Sequence, residues 1–228
     1  MLTAFETREA LMSAAADRLA EALQNGLKTR GRACAALSGG STPEPAYRLL
    51  AEKPLYWANI IFALVDERFV DPCDAASNQG MLERVLAPAL AQGATLKPMY
   101  AAASNVSDAA QRASALYKDL HYDIALMGMG EDGHTASWFP GSDGLDAGLS
   151  LDTKAPVVAV HAPAAAGAPE RLTLTRAEIA KADHVLLLIT GAAKRAKLEV
   201  ALKGPAEAAP VAALFEPPLP APEVFWAL

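Results

Sequence analysis

The chain has 228 residues, 52% of them apolar and 20% charged, and its 26 acidic and 20 basic residues give a net charge of −6. This composition is typical of a folded globular protein and excludes both a disordered chain and a general nucleic-acid binder. Two cysteines exclude a disulfide framework, and no apolar run reaches the ~18 residues of a membrane span. Because the sequence starts without a signal-peptide apolar block, we expect a cytoplasmic protein.

Helices and short apolar runs alternate through the first part of the chain. Leucines and alanines at four-residue steps predict a helix over Glu6–Lys28, and the apolar run Ala33–Leu37 predicts a strand. The Gly-rich segment Ser38–Thr42 follows that strand. Pro43 is typical of the first position of a helix, here one whose apolar face includes Leu49. These residues predict a strand, a tight turn and a helix in succession.

The middle of the chain repeats this pattern. The continuous apolar run Ile60–Val65 predicts a strand covered on both faces, and Asp66-Glu67-Arg68 closes it. We then expect a serine-capped helix over Ser77–Leu86, a short strand near Leu96–Tyr100 and a helix over Ser107–Leu120.

The second half adds a loop over 130–154, helices over 176–182 and 192–202, and an edge strand over 224–227. It also contains four apolar runs that predict strands: Asp123–Gly128, Val157–Val160, Arg171–Thr175 and His184–Thr190. Because strands alternate with helices, the sequence predicts an α/β fold with a doubly wound, mostly parallel sheet flanked by helices, a modified Rossmann-like arrangement. We expect residues 1–228 to form a single domain.

The segment Ser38-Gly39-Gly40-Ser41-Thr42 is the first with a chemical signature. Its glycines allow close backbone approach, so its N–H groups and hydroxyls could bind an anion, aided by the dipole of the following helix. It lacks the Gly-Lys-Ser/Thr end of a nucleotide-binding P-loop. Taken alone, the segment is equally compatible with a plain tight turn between a strand and a helix.

A second glycine-rich loop matches G-x-G-x-x-G between Gly128 and Gly133. Pro140 follows too soon for the long helix that a dinucleotide site requires. The loop carries Asp132 and His134, and rigid scaffolds display reactive groups on such strand-end loops, so His134 is a candidate reactive histidine. No histidine or cysteine spacing indicates a metal site, and no G-x-S-x-G motif indicates a serine hydrolase.

Basic residues concentrate between Arg171 and Lys203, where seven of them and three acidic residues give a local charge of +4. Lys194 lies in the first turn of a predicted helix, where the helix dipole disfavours a cation unless an anion compensates it. A bound phosphate would supply that anion. A merely solvated helix face accounts for Lys203 and Arg195 but not for the position of Lys194.

Six ordered motifs, spread over nearly the whole chain, resemble the 6-phosphogluconolactonase family. They are Leu37–Pro43, Asp66-Glu67-Arg68, Ser77-Asn78, Gly128–Gly141, Arg171–Thr175 and Thr190–Lys194. That family shares its fold with the glucosamine-6-phosphate isomerase/deaminases, which carry the same Asp-Gly-His and, five residues after the histidine, a glutamate that assists sugar ring opening. Phe139 occupies that position here, so the resemblance favours lactone hydrolysis.

The resemblance implies hydrolysis of 6-phospho-D-glucono-1,5-lactone in the oxidative pentose phosphate pathway, with no cofactor and no metal. It implies His134 as the base that activates water, and Asp132 as a residue that orients His134 or helps to hold the substrate. It implies Arg68 as a group that binds either the phosphate or the oxyanion. The other expected site residues are Ser38, Gly39, Gly40, Ser41, Thr42 and Lys194 for the phosphate, and Asp66 and Gly130 for the rest of the substrate pocket.

Two alternatives stay open at this point. An isomerase or deaminase of an amino-sugar phosphate would need a second proton-transferring carboxylate, and Asp66 is the only obvious supplier. A non-catalytic sugar-phosphate sensor would usually carry a DNA-binding appendage, and no helix-turn-helix or basic arm is evident. We expect the partner to be a small-molecule sugar-phosphate lactone, with no nucleic acid and no membrane, and the protein to be a monomer or small homo-oligomer.

Overall fold

Ten strands form two sheets in the computed structural model, which describes residues 2–228. In chain order they are β1 (Leu2–Phe5), β2 (Ala33–Leu37), β3 (Ile60–Leu64), β4 (Asp66–Arg68), β5 (Thr95–Leu96), β6 (Ile124–Met127), β7 (Val157–His161), β8 (Glu170–Leu174), β9 (Val185–Thr190) and β10 (Glu223–Ala227). The larger sheet is parallel throughout, in the order β1-β10-β9-β6-β2-β3-β5. The smaller sheet is antiparallel, in the order β4-β8-β7.

Helices flank the parallel sheet, and the predicted doubly wound α/β fold is confirmed. They are α1 (Arg8–Arg30), α2 (Glu44–Ala51), α3 (Asn78–Val85), α4 (Ala87–Ala91), α5 (Val106–Tyr117), α6 (Leu145–Leu149), α7 (Arg176–Ile179) and α8 (Ala192–Ala201), with 3₁₀ helices at Trp57–Asn59 and Pro210–Phe215. Every residue of β2 and of β6 is buried, as expected for strands covered on both faces. Over residues 2–228, no helix is long and apolar enough to cross a membrane.

Helix α1 shows how local sequence and core packing agree. Its N-terminus is capped by Thr7, whose hydroxyl accepts a hydrogen bond from the N–H of Ala10 at 3.1 Å. Gly31 ends the helix at φ +70°, a left-handed conformation that favours glycine. Between these ends Leu19 and Leu23 are fully buried, each contributing about 1.5–3 kcal/mol of burial free energy.

Four expectations about particular segments were wrong. Leu49 is 39% exposed, because α2 turns the face that bears Tyr47 and Leu50 towards the core. The strand at 224–227 is not an edge strand, because β10 lies between β9 and β1, and the unpredicted β1 takes the edge. The loop over 130–154 contains the short helix α6, and β4 continues regular strand structure over residues expected only to close β3.

The two sheets are joined at the carboxyl end of β3. Val65 passes the chain directly from β3 to β4: its N–H donates to the carbonyl of Leu37 at 3.0 Å, and its carbonyl accepts from the N–H of Leu174 at 2.8 Å. The small antiparallel sheet therefore begins where the parallel strands end. This arrangement places β4 and β8 beside the edge at which ligands bind in open α/β sheets.

Candidate active site

A cleft of about 310 Å³ opens at the carboxyl ends of β2, β6 and β9. Its walls come from the loops that follow these strands and from the antiparallel sheet. The lining residues are Ser38–Pro43, Asp66, Arg68, Asn78, Leu126–Gly130, His134, Ala136, Phe139, Ala166, Arg171, Leu188 and Lys194. The site thus lies where the topology of the sheet predicts it.

The Gly-rich segment after β2 forms one wall of the cleft. It leaves the sheet at Ser38, whose N–H donates to the carbonyl of Leu126 at 3.1 Å. A side chain at Gly39 would collide with the amide of Asn78, and Gly40 has φ +91°, so both positions require glycine. The hydroxyl of Ser38 is buried and has no hydrogen-bond partner in the described structure. The segment therefore lines the cleft with hydroxyls and with backbone that, at the two glycines, no side chain covers.

The three residues of β4 divide their side chains between two sides, as strand geometry requires. Asp66 and Arg68 line the cleft, whereas Glu67 is fully buried and caps the N-terminus of α3. The Glu67 carboxylate accepts from the N–H groups of Asn78 at 2.8 Å and Gln79 at 2.6 Å. Burial raises the pKa of Glu67, although these hydrogen bonds oppose the shift. Glu67 therefore has a structural role, and its two neighbours are available to a ligand.

Asp66 is held rigidly at the floor of the cleft. It is 7% exposed, and its Oδ2 accepts from the hydroxyl of Ser137 at 2.6 Å. Its Oδ1 accepts from the Nδ2 of Asn78 at 3.3 Å, and the same Nδ2 donates to the Asp66 carbonyl at 2.9 Å. Both carboxylate oxygens are thus engaged by neighbouring side chains.

Arg171 is a cleft residue that the sequence reasoning did not assign to the site. It is 3% exposed, and its guanidinium donates to the carbonyls of Ala168, at 2.7 Å, and of Ala166. Burial lowers the pKa of Arg171, the charge of Asp66 raises it, and the charge of Arg68 lowers it further. In the sequence, Arg171 belongs to the Arg171–Thr175 motif. That motif does not indicate that the Arg171 side chain reaches the cleft.

His134 is held by the turn that precedes it. Its Nδ1 lies 2.6 Å from the Oδ1 of Asp132, and its backbone N–H donates to the same oxygen at 3.0 Å. A side chain at Gly130 would collide with the imidazole, so glycine there allows the ring to pack against the backbone. An ionised carboxylate is only an acceptor, so Nδ1 carries the proton and Nε2 is left as the acceptor.

Asp132 does not itself line the cleft but lies behind His134. Burial would raise the pKa of the Asp132 carboxyl, but its hydrogen bonds from the His134 ring and backbone outweigh burial and lower the pKa. The Asp132 carboxylate is therefore ionised at neutral pH, where it can accept the hydrogen bond from the His134 ring.

Phe139 packs directly against the imidazole. The ring centroids of Phe139 and His134 are 4.2 Å apart with an interplanar angle of 36°, and the Cζ of Arg171 lies 5.4 Å from the Phe139 centroid. The aromatic ring thus contacts the histidine and the buried arginine at once, and it gives the cleft an apolar surface at this point.

Lys194 lies in the first turn of α8, as predicted, and lines the cleft. Gly191, at φ +86°, precedes this helix, and β10 fixes it: its N–H donates to the carbonyl of Ala227 at 2.8 Å and its carbonyl accepts from the Nε1 of Trp226 at 2.9 Å. Within residues 2–228, Lys194 makes no ion pair. Its ammonium is therefore available to an anion in the cleft.

The structure brings ten of the eleven predicted site residues into one lining, and Asp132 contacts it through His134. Sequence reasoning did not place Asn78, Arg171 or Ala136 in the site. In the described part of the chain, no group of three or more histidine, cysteine or acidic side chains could hold a metal ion.

Comparison with known proteins gives a consistent result. Residues 6–226 match the family model described as glucosamine-6-phosphate isomerases/6-phosphogluconolactonase. The 6-phosphogluconolactonase of Mesorhizobium japonicum is 39% identical over 226 residues, covering 98% of this chain and 94% of its own length. That of Caulobacter vibrioides is 38% identical over 229 residues, with 99% and 97% covered.

Solved structures agree with the sequence relatives. A 6-phosphogluconolactonase from Shewanella baltica superposes with a TM-score of 0.95 at 30% identity, covering 100% of this chain and 97% of that one. A monomeric glucosamine-6-phosphate deaminase superposes with a TM-score of 0.78 at 23% identity, over 99% and 96% of the chains. At that identity the deaminase shares only the fold.

Proposed function

Because the chain belongs to the glucosamine-6-phosphate isomerase/6-phosphogluconolactonase family, we propose that it hydrolyses 6-phospho-D-glucono-1,5-lactone to 6-phospho-D-gluconate. One observation carries the proposal: the hydrogen-bonded His134–Asp132 pair opens into a cleft whose other charged side chains include Lys194, Arg68 and Arg171. A general base and a cationic cradle are what this reaction needs, since the substrate is an activated ester with a phosphate.

His134 acts as the general base in this proposal. Its Nε2 takes a proton from a water molecule as the water oxygen forms a bond to the lactone carbonyl carbon. The carbonyl oxygen becomes an oxyanion, and when it re-forms the C=O bond the bond between that carbon and the ring oxygen breaks. The departing ring oxygen receives the proton from Nε2–H and becomes the 5-hydroxyl. Asp132 keeps the imidazole in the required tautomer and stabilises its transient charge.

The phosphate is bound by the Gly-rich wall and the cations that face it. Ser38–Thr42 supply backbone N–H groups and hydroxyls, and Lys194 supplies an unpaired ammonium. Arg171 adds a second fixed cation. Arg68 binds either the phosphate or the oxyanion. In the first role, its loss should weaken binding of the phosphorylated lactone only. In the second, its loss should affect phosphorylated and unphosphorylated lactones equally. Asp66 and Gly130 complete the pocket.

A deaminase reaction is disfavoured by the same geometry. Proton transfer during sugar ring opening needs a second carboxylate, and Phe139 cannot move a proton. Asp66 was the only alternative supplier, and its carboxylate oxygens are engaged by Ser137 and Asn78. No observation favours a non-catalytic sensor.

Beyond the site, we propose that residues 1–228 act as a single domain in the cytoplasm, as a monomer or small homo-oligomer. Neither a nucleic acid nor a membrane takes part in the reaction. The net charge of −6 and the small concave site support a small-molecule partner.

The proposal is tested by incubating the purified chain with freshly generated 6-phosphogluconolactone and, in parallel, with glucosamine 6-phosphate. We expect 6-phosphogluconate to form faster than by spontaneous hydrolysis, and no ammonia to be released from the amino sugar. Hydrolysis at the spontaneous rate would refute the proposal, and enzyme-dependent ammonia release would replace it with a deaminase.

A further inference from the structure

We propose that Phe139 is a positioning residue: its ring packs on the His134 imidazole and holds it in a working orientation. The inference rests on the proposed function only where it treats His134 as the base. The contacts themselves belong to the fold and can be measured without any substrate.

The first observation is that the imidazole is contacted by three groups. The Asp132 carboxylate holds Nδ1, and the backbone at Gly130 limits the ring near Cε1 and Nδ1. The third is the Phe139 ring, whose centroid is 4.2 Å from that of the imidazole, within the range of aromatic contacts. Phe139 therefore packs directly on the imidazole and limits the tilt of its plane.

The second observation is that the Phe139 ring also contacts a fixed cation. The Cζ of Arg171 is 5.4 Å from the Phe139 centroid, a cation–π distance. The Arg171 guanidinium is in turn held by the carbonyls of Ala166 and Ala168. The Phe139 ring therefore has a fixed neighbour besides the imidazole.

The third observation is that the backbone around Phe139 is anchored. The carbonyl of Phe139 accepts from the N–H of Ser142 at 3.2 Å and from its hydroxyl at 2.9 Å. The preceding Trp138 is fully buried, and its Nε1 donates to the carbonyl of Leu174 at 2.9 Å. Because this backbone is held in place, the Phe139 ring can restrain the imidazole that packs against it.

The kinetic test compares Phe139→Leu with Phe139→Tyr. We expect Phe139→Leu to lower kcat about 10–100-fold, because a misplacement of the base by about 1 Å can cost about 100-fold. KM should change less than about threefold, and Phe139→Tyr should restore kcat to within about threefold of the parent. Phe5→Leu, which shortens a partly buried phenylalanine on the sheet edge, is the matched control and should leave kcat unchanged.

A readout without substrate keeps the inference separate from the proposed function. The chain has four histidines, and His134→Gln assigns the His134 ring signals in proton–nitrogen spectra. We expect these ring protons to be shifted upfield by the Phe139 ring, and this shift to be lost in Phe139→Leu. The parent protein supplies this test even if that variant does not fold.

Two results would overturn the inference: unshifted His134 ring protons in the parent, or a Phe139→Leu variant with unchanged kcat. Lack of lactonase activity in the parent would instead refute the proposed function and leave the spectroscopic result standing.

Discussion

Arg68 and Arg171 lie directly opposite each other across the antiparallel β4–β8 pair, and both side chains line the cleft. Directly opposed residues project from the same face, and like charges there are destabilising unless an anion compensates them. Arg171 is moreover 3% exposed, so water does little to screen its charge. The Asp66 carboxylate compensates part of this charge, and a bound phosphate would compensate the rest.

Removing the cations should therefore discriminate between substrates. We expect Lys194→Ala and Arg68→Ala each to lose about 1.5–3 kcal/mol of binding free energy for the phosphorylated lactone and much less for unphosphorylated gluconolactone. Steady-state kinetics on both lactones measures this. Arg84→Ala, which removes an exposed arginine on α3, is the control. An equal loss on both substrates would remove either residue from phosphate binding, and for Arg68 it would indicate a role at the oxyanion.

Loss of the base should affect the chemical step. We expect His134→Ala to lower kcat about 10²–10⁴-fold while the variant still folds and binds 6-phosphogluconate. Asp132→Asn should also lower kcat, because an amide no longer selects the tautomer with the proton on Nδ1. Circular dichroism and product binding check the fold. A His134→Ala variant with more than about a tenth of the parent rate would show that another group is the base.

A substitution at Gly130 tests the position of the His134 imidazole without removing a functional group. An added methyl group at Gly130 would collide with the His134 imidazole and the Asp132 carboxylate, so Gly130→Ala should lower kcat about tenfold or more. The control is Gly204→Ala, whose methyl group would meet nothing closer than the Ala201 carbonyl oxygen at 3.9 Å. Equal activities of the two variants would contradict a tightly held imidazole.

Glu178 should make stability depend on pH. It is 2% exposed, and burial raises its pKa above the ordinary value of 4.5, although the Nζ of Lys181, 2.6 Å from its Oε2, opposes the shift. A raised pKa means that the folded state binds the proton more tightly than the unfolded state. The parent should therefore lose unfolding free energy relative to Glu178→Gln as pH rises from 4.5. Urea unfolding between pH 4 and pH 7 measures both free energies, and a parent that gains unfolding free energy relative to Glu178→Gln as pH rises would contradict the prediction.

The local parts of the site could be predicted because each lies on one loop. Ser38–Thr42 and the turn that carries His134 follow apolar runs, and parallel strands end at a common edge, so their convergence follows from the strand assignments. Arg171 could not be placed in this way. Its position depends on the register of β8 against β4, a pairing between segments about a hundred residues apart that no local pattern specifies.

The same reason explains the error at the C-terminal strand. The run at 224–227 was recognised as a strand, but its neighbours are β1, from the beginning of the chain, and β9. Which strands become neighbours depends on long-range packing, whereas local patterns predict only that strands exist.

The interior place of β10 has a consequence for the order in which a growing polypeptide becomes active. Gly191, which opens the helix bearing Lys194, is fixed by hydrogen bonds with Trp226 and Ala227, and β1 pairs with no strand other than β10. During synthesis on the ribosome, the first strand of the sheet must therefore wait unpaired until the last one has emerged. The turn at Gly191, which precedes Lys194, gains its hydrogen bonds from the same segment, so the lining of the cleft cannot be complete before residues 223–227 have been made.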